Sequence, residues 1–187
     1  VYCYTVAATN NTGGVSADSA SACSSTLPAT SSTNLLALWT FDEGSGTTVY
    51  DSSGNNNTGT VSGSSWSWTT GIFGPAMSFL GGEQVAVSNS ASLNPVNGIT
   101  VSAWVNANDW FNTPRILEKG KSNNQYAVFI NPSGQLAFAV YGVTNGTVAT
   151  TPPAEGIWHQ VTGTYNGSLI SLYIDGQVVT QRTATGQ

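Results

Sequence analysis

The chemistry open to this chain is limited by its reactive side chains: nine Asp and Glu, four Lys and Arg, one His and two Cys among 187 residues. Glycoside hydrolysis needs two carboxylates about 5–10 Å apart. Asp42 and Glu43 are adjacent, so on a strand they point to opposite faces. Glu118 is followed by Lys119, and Glu83 and Glu155 stand alone. A Ser-His-Asp relay would have to use His159, which lies in Trp158-His159-Gln160-Val161 and reads as a half-exposed strand residue. A zinc site usually takes about four His or Cys ligands, more than the chain can readily supply. No catalytic residue is assigned, and the chain reads as a non-enzyme.

A hard metal is a better match. Asp51-Ser52-Ser53-Gly54-Asn55-Asn56-Asn57 sets oxygen donors at alternate positions, Asp51, Ser53, Asn55 and Asn57. Ca²⁺ takes about 6–8 oxygen ligands, and a Gly-containing loop lets carbonyls turn inward. One carboxylate gives little charge, so Asp42 or Glu43 would have to join. The same residues can instead form an Asx turn, with Asp51 capping the loop's own amides and no metal. Both readings stay open.

Non-covalent sugar recognition uses aromatic faces with polar groups at the rim. Trp66 and Trp68 stand at i and i+2 in Ser64-Ser65-Trp66-Ser67-Trp68-Thr69, so both face one side of an extended segment. Trp110 and Phe111 lie in the polar loop Asn108-Asp109-Trp110-Phe111-Asn112, where Asp109 supplies a carboxylate. Tyr141 stands at a strand end near Asn145. The candidate ligand contacts are therefore Trp110, Asp109, Trp66, Trp68 and Tyr141. The alternative for Trp66 and Trp68 is that they cover a sheet edge. Trp39, Trp104 and Trp158 lie in apolar strands and read as core.

The elements that must hold these residues read as strands. Leu35–Phe41 is an apolar strand around Trp39. Short strands follow near 47–50, 76–80 and 84–87, the last two flanking Gly81-Gly82. Ile99–Val105 alternates, with Val101, Ala103 and Val105 on one face and Ser102 and Trp104 on the other. Further strands span 116–119, 126–130, 136–141, 158–165, 169–174 and 177–180, punctuated by Asn131-Pro132-Ser133-Gly134, Asn166-Gly167 and Asp175-Gly176 turns. No segment shows sustained helical periodicity. Strands at this spacing predict an all-β, antiparallel jelly-roll β-sandwich.

The N-terminus predicts a separate hairpin. Tyr2, Tyr4 and Val6 alternate with Cys3 and Thr5, and the turn Asn10-Asn11-Thr12-Gly13-Gly14 follows. A hairpin centred on Gly13 places Cys3 opposite Cys23, at a separation that a disulfide accepts. A disulfide implies a secreted or cell-surface protein. Residues 24–34 form a Ser/Thr/Pro linker. Asn10, Asn56, Asn145 and Asn166 head Asn-x-Ser/Thr sequons and are candidate glycosylation acceptors. Only 7% of residues are charged and the net charge is −5, which argues against nucleic acid as a partner. No apolar run approaches the ~18 residues of a membrane span.

These motifs carry a resemblance. Trp39-Thr40-Phe41-Asp42-Glu43-Gly44, Asp51-Ser52-Ser53-Gly54, Gly74-Pro75-Ala76-Met77-Ser78-Phe79, Ile99–Val105, Trp158-His159-Gln160-Val161 and Leu172-Tyr173-Ile174-Asp175-Gly176 run in the order of a LamG-like (concanavalin A-like) jelly-roll domain. The resemblance spans residues 35–187. It implies carbohydrate or protein binding outside the cell, with Ca²⁺ common in the architecture. Relatives that hydrolyse glucans carry a Glu-x-Asp-x-x-Glu strand, and this chain has none. Two departures stand out: Leu80 replaces an Asp that the family usually carries after Phe79, and the family continues beyond Thr183–Gln187. The jelly roll is thus expected to be incomplete at its C-terminal end, completed either by further chain or by a neighbouring copy. Residues 1–23 resemble the last two strands of a fibronectin type III domain. The leading expectation is a non-catalytic extracellular binding or adhesion module for carbohydrate or a protein partner. The alternative is a structural repeat of a stalk or filament that contacts copies of itself.

Overall fold

The computed structural model describes residues 2–4, 22–24, 35–120 and 125–186. All strand pairings among them are antiparallel, and the only helical turn is a short 3₁₀ segment, Ala91–Leu93. The fold is all-β, as expected, and its antiparallel sheets are consistent with a jelly-roll β-sandwich. The chain divides into two compact units, Val1–Leu93 and Asn94–Gln187.

At the N-terminus β1 (Tyr2–Tyr4) pairs with β2 (Ala22–Ser24), with Cys3 opposite Cys23. Asn10, the turn around it and linker residues 25–34 lie outside the described residues. In the rest of the first unit, β3 (Thr48–Val49), β4 (Gly59–Ser62) and β7 (Gln84–Val87) form one sheet. A second sheet pairs β5 (Trp66–Thr70) with β6 (Pro75–Phe79). The strands beside Gly81-Gly82 therefore do not pair with each other: β6 joins β5, and β7 joins β4. The sequence hides β4 among Gly, Ser and Thr, yet its burial alternates, with Gly59 and Val61 inward.

The expected strand Leu35–Phe41 does not form. Only Trp39 bridges, to Asp51. The backbone groups that a ladder would use are taken by side chains of the 51–57 loop: Leu38 N–H donates to Asp51, and the Leu35 and Leu36 carbonyls accept from Asn55 and Asn57. Phe41, at φ 60°, then turns the chain out of extended geometry.

The second unit is built from two four-stranded sheets. One runs β12 (Thr147–Thr150), β11 (Leu136–Val140), β10 (Tyr126–Ile130), β9 (Arg115–Lys119). The other runs β15 (Gln177–Thr183), β14 (Leu169–Ile174), β13 (His159–Tyr165), β8 (Ile99–Val105). Their facing residues make one core, with Val128, Ile130, Leu136, Phe138 and Val148 from the first sheet and Val101, Val161, Tyr165, Ile170 and Leu172 from the second. Turn chemistry sets the register. Asn131 Oδ1 accepts from Ser133 N (2.9 Å) and Gln135 N (3.0 Å), with Gly134 at φ 74°, and Asn166 Oδ1 does the same for Ser168 and Leu169.

The alternation read from Ile99–Val105 holds, and it corrects one assignment. Trp104 lies on the face opposite Val101 and is 39% exposed, so it is not core. At the centre of the unit Gly163 meets the fully buried Phe138 ring, and a Cβ at residue 163 would overlap that ring. Phe138 has no room to yield, because close-packed cores tolerate little added volume. Gly163→Ala should therefore cost roughly 1–3 kcal/mol of stability, read as a lower urea midpoint. An unchanged midpoint would show that the sheets part enough to admit a methyl group.

Candidate binding site

The expected metal set folds into a self-contained network. Asp51 Oδ1 accepts from Leu38 N and Ser53 N, both at 2.9 Å. Oδ2 accepts from Ser53 Oγ at 2.8 Å and Asn57 N at 2.9 Å. A carboxylate offers about four acceptor positions, so none is left over. Asn55 and Asn57 turn their Nδ2 groups, not oxygens, toward the Leu35 and Leu36 carbonyls. Asn57 is buried and also receives Trp39 Nε1 on its carbonyl at 2.8 Å, while its Oδ1 accepts from Ser90. Asp42 is exposed, and no group of three or more His, Cys, Asp or Glu among the described residues is placed to hold a metal. N–H donors converging on the one carboxylate would repel a cation. Asp51, Ser53, Asn55 and Asn57 as arranged do not fit Ca²⁺; they are the Asx-turn alternative, extended into a brace for the 35–39 segment.

Burial pushes the Asp51 pKa up, but the Leu38, Ser53 and Asn57 amides and the Ser53 hydroxyl outweigh it, and the net shift is downward.

The aromatic candidates separate. Trp66 and Trp68 are half-buried in β5 on one face, with Ser67 exposed between them. Trp68 Nε1 donates to the Gly46 carbonyl at 3.0 Å, which fits an edge-covering role. Tyr141 is half-buried beyond β11, and its amide donates to the Gln125 carbonyl. It does not line the depression described next.

Trp110 does line it. The loops after β8, β10 and β12 all leave the same end of the second unit, because Ile130 pairs with Leu136, Leu136 with Thr150 and Val105 with His159. Trp110, Phe111, Gly134, Pro152, Pro153, Ala154 and Glu155 from these loops surround a shallow depression of about 420 Å³. The ring of Trp110 packs on the core, its Nε1 donates to the Pro153 carbonyl at 2.9 Å, and its amide donates to Glu155 Oε1 at 3.1 Å. Asp109 Oδ1 accepts from Phe111 N at 3.1 Å, and Phe111 is 75% exposed. The result is a fixed indole, a projecting phenyl ring, two prolines and the Glu155 carboxylate, with Asp109 next to Trp110 in the chain.

Sequence reasoning found Trp110, Asp109 and Phe111 but missed Pro152, Pro153 and Glu155. They follow β12, a strand rich in Thr and Ala that was not read as one, so nothing marked their loop as the neighbour of Trp110.

At the same end His159 Nδ1 lies 2.7 Å from Asp175 Oδ2, and Gln160 N donates to Oδ1. The His159 hydrogen bond, then the Gln160 amide, hold the Asp175 pKa below its ordinary value. His159 Nε2 is buried and has no hydrogen-bond partner among the described residues. Among the sequons, Asn56, Asn145 and Asn166 are exposed in turns, as glycosylation acceptors must be.

A family model for the concanavalin A-like lectin/glucanases superfamily matches residues 80–187, which include every residue of the depression. No curated protein matches the chain.

The Asp51 network carries a pH signature. Its folded pKa lies below the unfolded value, so its stabilisation is complete above the ordinary carboxylate range and is lost as pH falls through the lowered value. Asp51→Ala should cost about 1–3 kcal/mol, because it strands several donors at once, and should flatten the acid limb of the melting temperature against pH. Adding Ca²⁺ or EDTA should leave the parent's melting temperature unchanged. A calcium-dependent rise lost in Asp51→Ala would overturn the closed-network reading.

Proposed function

The chain belongs to the concanavalin A-like lectin/glucanase superfamily, and on that premise we propose that it is a non-catalytic extracellular module that binds carbohydrate through the Trp110 depression. The observation that carries this is the convergence of three loops on one fixed indole and one exposed phenyl ring, with the Glu155 carboxylate in the lining. Aromatic faces cover the C–H side of a sugar ring, and rim acceptors take its hydroxyls. A passive role is supported by how the nearby acids are used. Glu155 Oε1 and Asp109 Oδ1 hold the backbone of the aromatic loop.

An extracellular location is supported by the hairpin register that sets Cys3 opposite Cys23. We take the pair to be bonded and the hairpin to be the end of a fibronectin type III-like module. A second reading, a structural repeat in a stalk or filament, is favoured by one feature: β15 is a terminal strand of its sheet, with Val178 and Val179 exposed. Edges of this kind invite pairing between copies.

Isothermal titration against a panel of oligosaccharides tests the leading reading. At least one should bind, and Phe111→Ala should weaken it about tenfold, the equivalent of ~1.4 kcal/mol. A panel with no binder, from a protein that polymerises as purified, would favour the structural repeat. Thiol titration of the denatured, unreduced protein should find no free thiol. Two free thiols would remove the support for an extracellular location.

A further inference from the structure

Among the described residues, the charged side chain that lines the depression is Glu155. Besides Glu155 and Asp109, the same end of the second unit carries Asp175, on the turn between β14 and β15. The one Arg at that end, Arg115 at the start of β9, is engaged: its Nε lies 3.0 Å from Glu118 and its guanidinium sits over the Phe129 ring. His159 is bonded to Asp175. Lys119 ends β9 at the opposite end, and Arg182 pairs with Ile170 near the far end of β14 and β15. Among the described residues no Lys or Arg lines the depression.

The two acids are also half used. Glu155 spends Oε1 on Trp110 N, and Asp109 spends Oδ1 on Phe111 N. Their second oxygens, Oε2 and Oδ2, take no hydrogen bond from the described residues. Each carboxylate is thus oriented by the backbone of the aromatic loop and keeps an acceptor beside it. A charged acceptor next to an aromatic face stabilises a cation twice, by a charge-assisted hydrogen bond and by the ring quadrupole. It disfavours an anion.

We infer that the depression selects glycans bearing free, protonated amino groups, such as oligomers of glucosamine, over their N-acetylated or acidic counterparts. This rests on the carbohydrate-binding reading and names its ligand class. A sugar fits better than a basic peptide, because the depression is small and floored by rings and prolines.

The test compares glucosamine oligomers, N-acetylglucosamine oligomers of equal length, oligogalacturonate and oligolysine by titration calorimetry in mildly acidic, low-salt buffer. The variants are Glu155→Gln and Asp109→Asn, whose amide oxygens still accept from Trp110 N and Phe111 N, so each removes charge and keeps the loop. Glucosamine oligomers should bind about tenfold or more tighter than the acetylated ones. Each variant should lose about tenfold for the free amine and little for the acetylated sugar, and added salt should erase the preference. Equal affinity for free and acetylated amines, or tighter binding of oligogalacturonate, overturns the selectivity and leaves sugar binding standing. Oligolysine binding as tightly as glucosamine oligomers overturns the assignment to a sugar. Binding of none of the four, with an unaltered melting temperature confirming the fold, overturns this inference, while the wider sugar panel decides the reading beneath it.

Discussion

Phe138 packs against a residue that has no side chain, and much of the second unit follows from that contact. Gly163 lets the β8–β13–β14–β15 sheet come close enough for the ring to fill the space between the layers. Val101 and Leu172 flank Gly163 in register, and Val128 and Val148 flank Phe138, so the two ladders are pinned at their centres. With register set there, the ends of β8, β10 and β12 come out together. The loops that carry Trp110, Gly134 and Pro153 meet as a consequence of sheet packing, not of any attraction among themselves.

The first unit solves a similar problem by a different means. Its 35–39 segment is apolar enough to be a strand, but it is held by side chains, not by a ladder. Asp51, Ser53, Asn55 and Asn57 together satisfy the amide of Leu38 and the carbonyls of Leu35 and Leu36. Buried polar networks are stable only when every member is satisfied, and Asn57 meets that condition with its amide, its carbonyl and both side-chain atoms engaged. Alternate oxygen donors in a Gly-containing loop are what calcium requires and also what a dense turn requires. The direction of the N–H groups separates the two.

Surface chemistry and architecture are linked through the Trp110 loop. The indole packs on the apolar cluster and also lines the depression, and its Nε1 is spent on Pro153. A ring held this way loses little freedom on binding, which is how preorganised sites limit their entropic cost. Phe111 has the opposite character: it is exposed, and its amide donates to Asp109 Oδ1.

Local pattern was enough for much of the fold. Strands such as Ile99–Val105, Tyr126–Ile130 and Leu169–Ile174 were readable because apolar and β-branched residues alternate between turn residues, and both signals are local. The opposition of Cys3 and Cys23 was readable for the same reason, since a hairpin's register follows from its own turn. Strands made of Gly, Ser, Thr and Ala, such as Gly59–Ser62 and Thr147–Thr150, were not, because their inward positions are filled by what packs on them. Trp104 shows the same limit: its face was legible, but exposure of that face was not. The sequence by itself determined an antiparallel, charge-poor β-protein with Trp110 and Asp109 on a polar loop. Only the tertiary structure decided that Glu155, 45 residues away along the chain, stands beside that indole, and that Asp51 faces amides. Both depend on contacts between segments distant in the chain, and side-chain types and spacing do not encode those directly.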